Sequence, residues 1–278
     1  MNIKNKLNSL SITPNKALGQ NFLTDEQAIK KIVSVSDVRD FGVLEIGPGL
    51  GALTSELMKV SKKVVAVEID VKMIDALNDL KNESEFGEKL ILVHDDILKT
   101  DFAFITKELS FDFSQQYKVV GNLPYYITTP ICVRLMKQHE HICQLTLMMQ
   151  REAATRITAK PKSEQYGPLS IVSQYIYDTQ SALELSPQAY YPQPDVFSTV
   201  ITMKKRDYDI KKANMLIKIT NICFAMRRKT IQNNLSNGCG KEKSQKLLSV
   251  ANIPPSARAE ALELEDFIRL VDAIADID

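Results

Sequence analysis

The sequence predicts an α/β fold, a mostly parallel sheet covered by helices on both faces, followed by a small all-helical domain. Three observations predict it. Short apolar runs alternate with segments of helical periodicity up to about Lys205. A glycine-rich turn closes one of the first of these runs, and no strand pattern appears after Lys205. The 278 residues suffice for one large domain and a smaller second one, which places the division at 1–205 and 206–278.

Met1 to Pro14 is rich in Lys, Asn and Ser, lacks the apolar core of a signal peptide and reads as a poorly ordered arm. Thr24-Asp25-Glu26-Gln27 reads as a helix start, with Thr24 as N-cap and Gln27 completing a capping box. Ile29, Ile32 and Val33 follow at helical spacing. Val43 to Ile46 is a strand ending at Gly47, and Leu53, Leu57 and Met58 mark the buried face of the next helix. Val64 to Val67 is a second strand, with Met73, Ile74 and Leu77 on the helix behind it. Leu90 to Val93 and Tyr117 to Val120 are the third and fourth strands. Ile131, Leu135 and Met136 mark a further helix, and Leu145 to Met149 a further strand. Thr179 to Leu185 and Thr199 to Met203 are late strands with no helix between them, expected as an antiparallel pair at one edge. Helical periodicity then covers Asp209 to Leu235, Gln245 to Val250 and Glu265 to Ile274.

Composition narrows the function classes. Hydrophobic residues make up 44% and charged residues 25%, a globular balance that argues against disorder. The formal charge is only +1, so any basic surface must come from local clustering. Cys132, Cys143, Cys223 and Cys239 show no C-x-x-C spacing and read as scattered reduced thiols. His139 and His141 have no further ligands nearby, so they read as solvated loop residues, and no metal site is expected. No apolar run is long enough to cross a bilayer, and the chain reads as cytoplasmic.

Two motifs carry chemistry. Glu45-Ile46-Gly47-Pro48-Gly49-Leu50-Gly51 lies at a strand-to-helix turn, where glycines let the backbone approach a ligand closely. Glu68 follows about twenty residues on, at the strand end where a carboxylate accepts ribose hydroxyls. Gly47-x-Gly49-x-x-Ala52 also satisfies a dinucleotide fingerprint, so on the loop alone a nicotinamide enzyme stands level with a methyltransferase. Asp96 adds a carboxylate suited to an adenine amino group, although an Asp after a strand is commonly a helix cap. Asn122-Leu123-Pro124-Tyr125, directly after the fourth strand, separates the two. The Asn122 side-chain oxygen and the Leu123 carbonyl are two acceptors that can bind the hydrogens of an aromatic amine and aim its lone pair. Pro124 stiffens the turn, and Tyr125 offers a flat face to a base.

These motifs, with Leu18-Gly19-Gln20-Asn21-Phe22-Leu23, the extension to Pro130, Gln150-Arg151-Glu152, Tyr166-Gly167-x-Leu169-Ser170 and Tyr191-Pro192-x-Pro194-x-Val196-x-Ser198, carry a resemblance. The chain resembles the dimethyladenosine transferases of small-subunit ribosomal RNA, the KsgA/RsmA family, over nearly its whole length. The resemblance implies a Rossmann-like class I methyltransferase sheet. It also implies that Asn21, Leu23, Gly47, Gly49, Glu68, Asp96 and Asn122 contact S-adenosylmethionine, and that Tyr190 faces the target adenine opposite Tyr125. Phe197 departs from the small polar or acidic residue that relatives often carry, and no role is assigned to it. Phe224 to Leu235 resembles this family and not its sister, the erythromycin-resistance methylases. Within it Arg227, Arg228 and Lys229 form a basic cluster suited to RNA phosphates. The implied activity is dimethylation of N6 on two adjacent adenines in a hairpin loop near the 3′ end of small-subunit ribosomal RNA, on the pre-assembled small ribosomal subunit, by a monomer. A large-subunit methylase of the macrolide-resistance type is the runner-up, and a non-catalytic assembly or transcription factor on the same fold comes next.

Overall fold

The computed structural model describes residues 3–10, 12–110 and 116–275. The chain divides into two compact units, Met1–Ala154 with Thr179–Lys205, and Thr155–Asp178 with Arg206–Asp278.

The first unit opens with a helix where the sequence predicted a loose arm. Helix α1 (Ile3–Ser9) buries Ile3 and Leu7 in a cluster with Leu50, Met73 and Ala76. Two aliphatic side chains four apart, at about 1.5–3 kcal/mol each, are enough to anchor it. Strand β1 (Phe22–Leu23) precedes α2 (Glu26–Ser36), whose cap is Asp25 and not Thr24. Asp25 Oδ1 accepts from the amides of Gln27 and Ala28 at 2.9 and 3.0 Å. Thr24 instead donates its hydroxyl to the Ala189 carbonyl at 3.0 Å. Both residue types cap well, and the long-range bond of Thr24 decides between them.

Strict alternation follows, as the apolar runs predict: β2 (Gly42–Ile46), α3 (Ala52–Val60), β3 (Lys63–Glu68), α4 (Val71–Glu83), β4 (Leu90–His94), α5 (Phe102–Leu109), β5 (Tyr117–Asn122), α6 (Thr128–Met136), β6 (Ile142–Gln150) and α7 (Arg151–Thr158). The unit closes with β7 (Tyr177–Leu185), β8 (Tyr190–Tyr191) and β9 (Ser198–Lys205). Seven strands form one sheet in the order β4-β3-β2-β5-β6-β9-β7. Strands β2 to β6 are parallel, and β9 runs antiparallel to β6. The two late strands lie side by side at one edge, as the sequence predicts. β1 and β8 pair separately. The chain builds β2, β3 and β4 outward and then returns to place β5 on the other side of β2. Loops leave the sheet in opposite directions there, which opens a crevice at the carboxyl ends of β2 and β5.

The second unit holds α8 (Pro168–Ile176), α9 (Ile210–Cys223), α10 (Ile231–Cys239), α11 (Lys241–Val250) and α12 (Leu264–Ala275). The expected division at residue 205 is therefore incomplete, because 155–178 cluster with the late helices. α8 packs on α9 and α12. Just before it, Tyr166 donates its hydroxyl to Leu262 O at 2.9 Å, and its ring meets Phe224 edge-on at 6.2 Å. In sequence this segment lies between two strands of the sheet, which hides its helical partners.

His139 is fully buried and His141 half-buried, against the expectation of solvated residues. Only Lys137 to His141 connect α6 to β6, too short a link to leave the packed layers. Among the described residues no cluster of His, Cys, Asp and Glu could hold a metal ion. The four cysteines are free thiols. No helix of the described residues is long and apolar enough to cross a membrane.

Candidate functional site

An open cleft, with about 1040 Å³ of space counting the solvent it opens to, occupies the crevice between β2 and β5. Its floor is the glycine loop. Gly47, Gly49 and Gly51 take φ values of +65°, +56° and +83°, which side-chain-bearing residues rarely adopt. A Cβ at Gly49 would also sit 3.0 Å from the Phe22 ring, which forms part of the wall. The loop thus turns inside the reach of a ligand because the sequence leaves out side chains there.

Two acids stand in the wall above it. Glu68 is 6% exposed, with its Oε2 accepting from Gly49 N at 3.1 Å. Its Oε1 accepts from Ile69 N at 2.9 Å and Asp70 N at 3.0 Å. Burial raises its carboxyl above the usual range, and these three amides oppose that. Glu45, on β2, is 1% exposed, and neither carboxylate oxygen has a hydrogen-bond partner. The Thr54 hydroxyl near it is also without one. Burial pushes the Glu45 carboxyl up to about 8; the Thr54 hydroxyl beside it opposes the shift, and the Glu68 charge adds to it. A buried acid without a partner in the chain suits a cationic ligand. Asp96 lines the same cavity, and its Oδ1 accepts from Leu98 N at 2.9 Å, so it caps the turn after β4 as well.

The Asn122-Leu123-Pro124-Tyr125 turn forms the β5 side of the cavity. Leu123 N donates to Met148 O at 2.9 Å, which ties the turn to β6. Asn122 Nδ2 donates to Asn21 O at 3.0 Å. That bond occupies the amide nitrogen and leaves Asn122 Oδ1 as an acceptor. Asn21 is held in turn by its own Nδ2 on Gly19 O at 3.2 Å. Tyr125 opens a short 3-10 turn, and its hydroxyl is hydrogen-bonded to Ser198 Oγ at 2.8 Å.

Asn21, Leu23, Gly47, Gly49, Glu68, Asp96 and Asn122 to Tyr125 therefore share one cavity. Tyr190 does not line it. Its register with Leu23 in the β1–β8 pair puts it in the core at 2% exposure. Its hydroxyl lies beside Ser198 without a hydrogen bond of normal geometry, and burial raises its pKa. The ring expected to face Tyr125 across a base is thus buried in the core, close to Tyr125 and Ser198. In the helical unit, Arg227 is not an open cation. Its Nη2 donates to the carbonyls of Glu164 at 2.9 Å and Tyr166 at 3.3 Å and lies 3.9 Å from the Glu260 carboxylate. Arg228 and Lys229 are exposed. Glu45 is a further residue of the cavity wall, marked in the sequence only as a lone acid inside Val43-Leu44-Glu45-Ile46. Phe22 and Tyr126 also line the cavity; both lie inside motifs that carry the resemblance, without being singled out there.

The model of the ribosomal RNA adenine dimethylase family matches residues 12–276. The chain is 40% identical over 268 residues to a ribosomal RNA small subunit methyltransferase A of Lysinibacillus sphaericus, covering 93% of this chain and 90% of that protein. It is 38% identical over 270 residues to the protein of the same name from Enterococcus faecalis, covering 93% and 90%. Among solved structures it is similar to a dimethyladenosine transferase from Plasmodium falciparum, with TM-score 0.70 and 20% identity over 92% of this chain and 98% of that one. It is also similar to the 23S rRNA methyltransferase ErmE, with TM-score 0.61 and 22% identity over 92% and 100%. At these identities the likeness is one of fold, the Rossmann-like class I methyltransferase sheet that the resemblance implied. The family match covers the helical unit as well as the sheet, so it is more than a shared cofactor fold: the chain belongs to the ribosomal RNA adenine dimethylases.

Proposed function

We propose that this chain binds S-adenosylmethionine in the β2–β5 crevice and dimethylates N6 of two adjacent adenines in the 3′-terminal hairpin loop of small-subunit ribosomal RNA. The donor set of the wall fits that cofactor. Glu45 offers a buried acid with no hydrogen bond of normal geometry, which a nearby cationic group would favour in its ionised form. Glu68 accepts from ribose hydroxyls and Asp96 from the adenine amino group, while Asn21, Leu23 and the glycine loop complete the pocket. Bound there, the cofactor supplies an electrophilic methyl on a sulfonium.

The chain's own task is to sharpen the amine. The exocyclic nitrogen of adenine is a poor nucleophile, because its lone pair is delocalised into the ring. Asn122 Oδ1 and the Leu123 carbonyl accept its hydrogens and draw the lone pair out of conjugation. Tyr125 stacks on the base, with its hydroxyl fixed by Ser198. Tyr190 lies in the core close to Tyr125 and Ser198. The ammonium formed on methyl transfer is strongly acidic and loses its proton to solvent without a general base, and orientation supplies most of the remaining acceleration. The observation that carries this reading is the Asn122 Nδ2 bond to Asn21 O, which commits the amide nitrogen and frees the oxygen.

The names of the relatives at 38–40% identity support the small-subunit target. The substrate is the pre-assembled small subunit, met in the cytoplasm by a monomer, with Arg228 and Lys229 on RNA phosphates. Undermethylated small subunits and naked large-subunit RNA, each incubated with labelled cofactor and mapped for modified bases, test this. Label on two adjacent adenines of the small subunit supports it, and label on large-subunit RNA alone overturns it. Asn122→Ala lowers turnover by about two to three orders of magnitude while costing about 1 kcal/mol of stability for one lost hydrogen bond. Wild-type turnover in that variant refutes the mechanism.

A further inference from the structure

Phe197 is 48% exposed. A single exposed phenylalanine is ordinary, but this one is held in a particular place. Its carbonyl accepts from Arg151 N at 3.2 Å, and the Arg151 guanidinium lies 6.0 Å from its ring centroid. Both residues adjoin the Gln150–Ser198 pair, where β6 ends and β9 begins. Ser198 is fully buried, and its Oγ holds the Tyr125 hydroxyl at 2.8 Å. Phe197 is therefore one residue from the group that braces the catalytic turn. Nearby in the same segment, Val196 is 42% exposed and Tyr191 37%, and Tyr191 pairs with Phe22 in the cavity wall. Apolar surface is thus presented to solvent at the rim of the site.

An adenine that enters the cavity leaves its stack, and the nucleotide beside it loses a stacking partner. An aromatic ring with a guanidinium over one face can replace that partner. Every base has a π-face, and a planar guanidinium both stacks and pairs with phosphate. We infer that Phe197 and Arg151 form a stacking platform for the nucleobase that flanks the target adenine in RNA. This rests on the adenine dimethylase reading of the Asn122–Tyr125 turn and adds a subsite to it.

Phe197→Ala and Phe197→Trp are compared with the wild type in two measurements. One is the KM for undermethylated small subunits. The other is binding of an RNA hairpin with 2-aminopurine placed in turn on each side of the adenine pair. Alanine is expected to raise the KM about tenfold and to weaken hairpin binding similarly. It should change kcat less than about twofold, keep the cofactor affinity, and abolish the fluorescence quench at one flanking position. Tryptophan should restore KM and quench. Wild-type KM and quench in Phe197→Ala overturn the platform, while continued methylation by the wild-type protein leaves the dimethylase reading intact. A raised KM on subunits with unaltered hairpin binding assigns the ring to a ribosomal protein and also overturns it. A wild-type protein that methylates no small-subunit adenine overturns both readings.

Discussion

Two acids near the carboxyl ends of neighbouring strands lie in one cavity wall, and the protein treats them in opposite ways. Glu68 on β3 receives three backbone amides, and Glu45 on β2 receives none. Their exposures are 6% and 1%, so burial does not separate them. Each hydrogen bond to a charged group contributes roughly 1.5–3 kcal/mol, which offsets much of the desolvation of Glu68. Glu45 receives no backbone amide, is opposed in its burial only by the nearby Thr54 hydroxyl, and is pushed up to about 8. Glu68 is fixed by the loop it shapes and keeps acceptor capacity to spare, whereas both oxygens of Glu45 lack a donor of normal geometry.

The largest effect expected from this contrast is at Glu68. Glu68→Ala strips the acceptor from Gly49, Ile69 and Asp70 at once and frees the glycine loop. The expected outcome is a loss of cofactor affinity of about 100-fold, with about 2–4 kcal/mol of stability, read by calorimetric titration and urea unfolding. Glu68→Gln keeps an acceptor oxygen and should fall between the two. A Glu68→Ala protein that binds cofactor as the wild type does would break the contrast at its stronger end.

The same division between supplied and missing partners explains what could be read from the sequence. Strand alternation, the glycine loop and the Asn122–Tyr125 turn are local patterns, and the structure gathers them at the switch between β2 and β5. The burial of Tyr190 depends on pairing with Leu23, far away in the chain, which no local pattern encodes. Helix α1 was missed because Ile3 and Leu7 alone carry its apolar face. Glu45 stood in plain view, but its lack of donors is a fact of packing that no spacing encodes. Arg227 looked like its neighbours until Glu164 and Tyr166 supplied it with carbonyls.

A smaller and pH-dependent effect is expected at Glu45. Its carboxyl ionises near the ordinary 4.5 when unfolded and near about 8 when folded. Between those values the folded protein keeps a proton that the unfolded chain has lost, so stability falls as pH rises through the window. The slope is at most about 1.4 kcal/mol per pH unit. Glu45→Gln mimics the protonated acid at every pH. The variant and wild type should melt alike near pH 5, and the variant should gain an advantage that grows towards pH 8. Its affinity for S-adenosylmethionine at pH 8 should nevertheless fall about tenfold, the equivalent of one charge-assisted hydrogen bond. Parallel melting curves across pH would show that Glu45 has found a donor after all, and the contrast with Glu68 would close.

The mildest test carries the contrast into the helical unit, with cations in place of acids. Arg227 is held by two carbonyls, and its partly exposed approach to Glu260 adds little. Arg227→Ala should therefore cost about 1 kcal/mol of stability, visible as a lower urea midpoint. Arg228 and Lys229 have no side-chain ion pair among the described residues and are open to a phosphate. Replacing both with alanine should leave stability within about 0.5 kcal/mol. RNA binding should weaken a few-fold, and the slope of log affinity against log salt should shrink by about 1 to 1.5, the release expected for two phosphate contacts on a single strand. If the double variant keeps the wild-type salt slope while Arg227→Ala loses it, the held cation is the one that meets RNA, and the intramolecular carbonyls are only its resting partners.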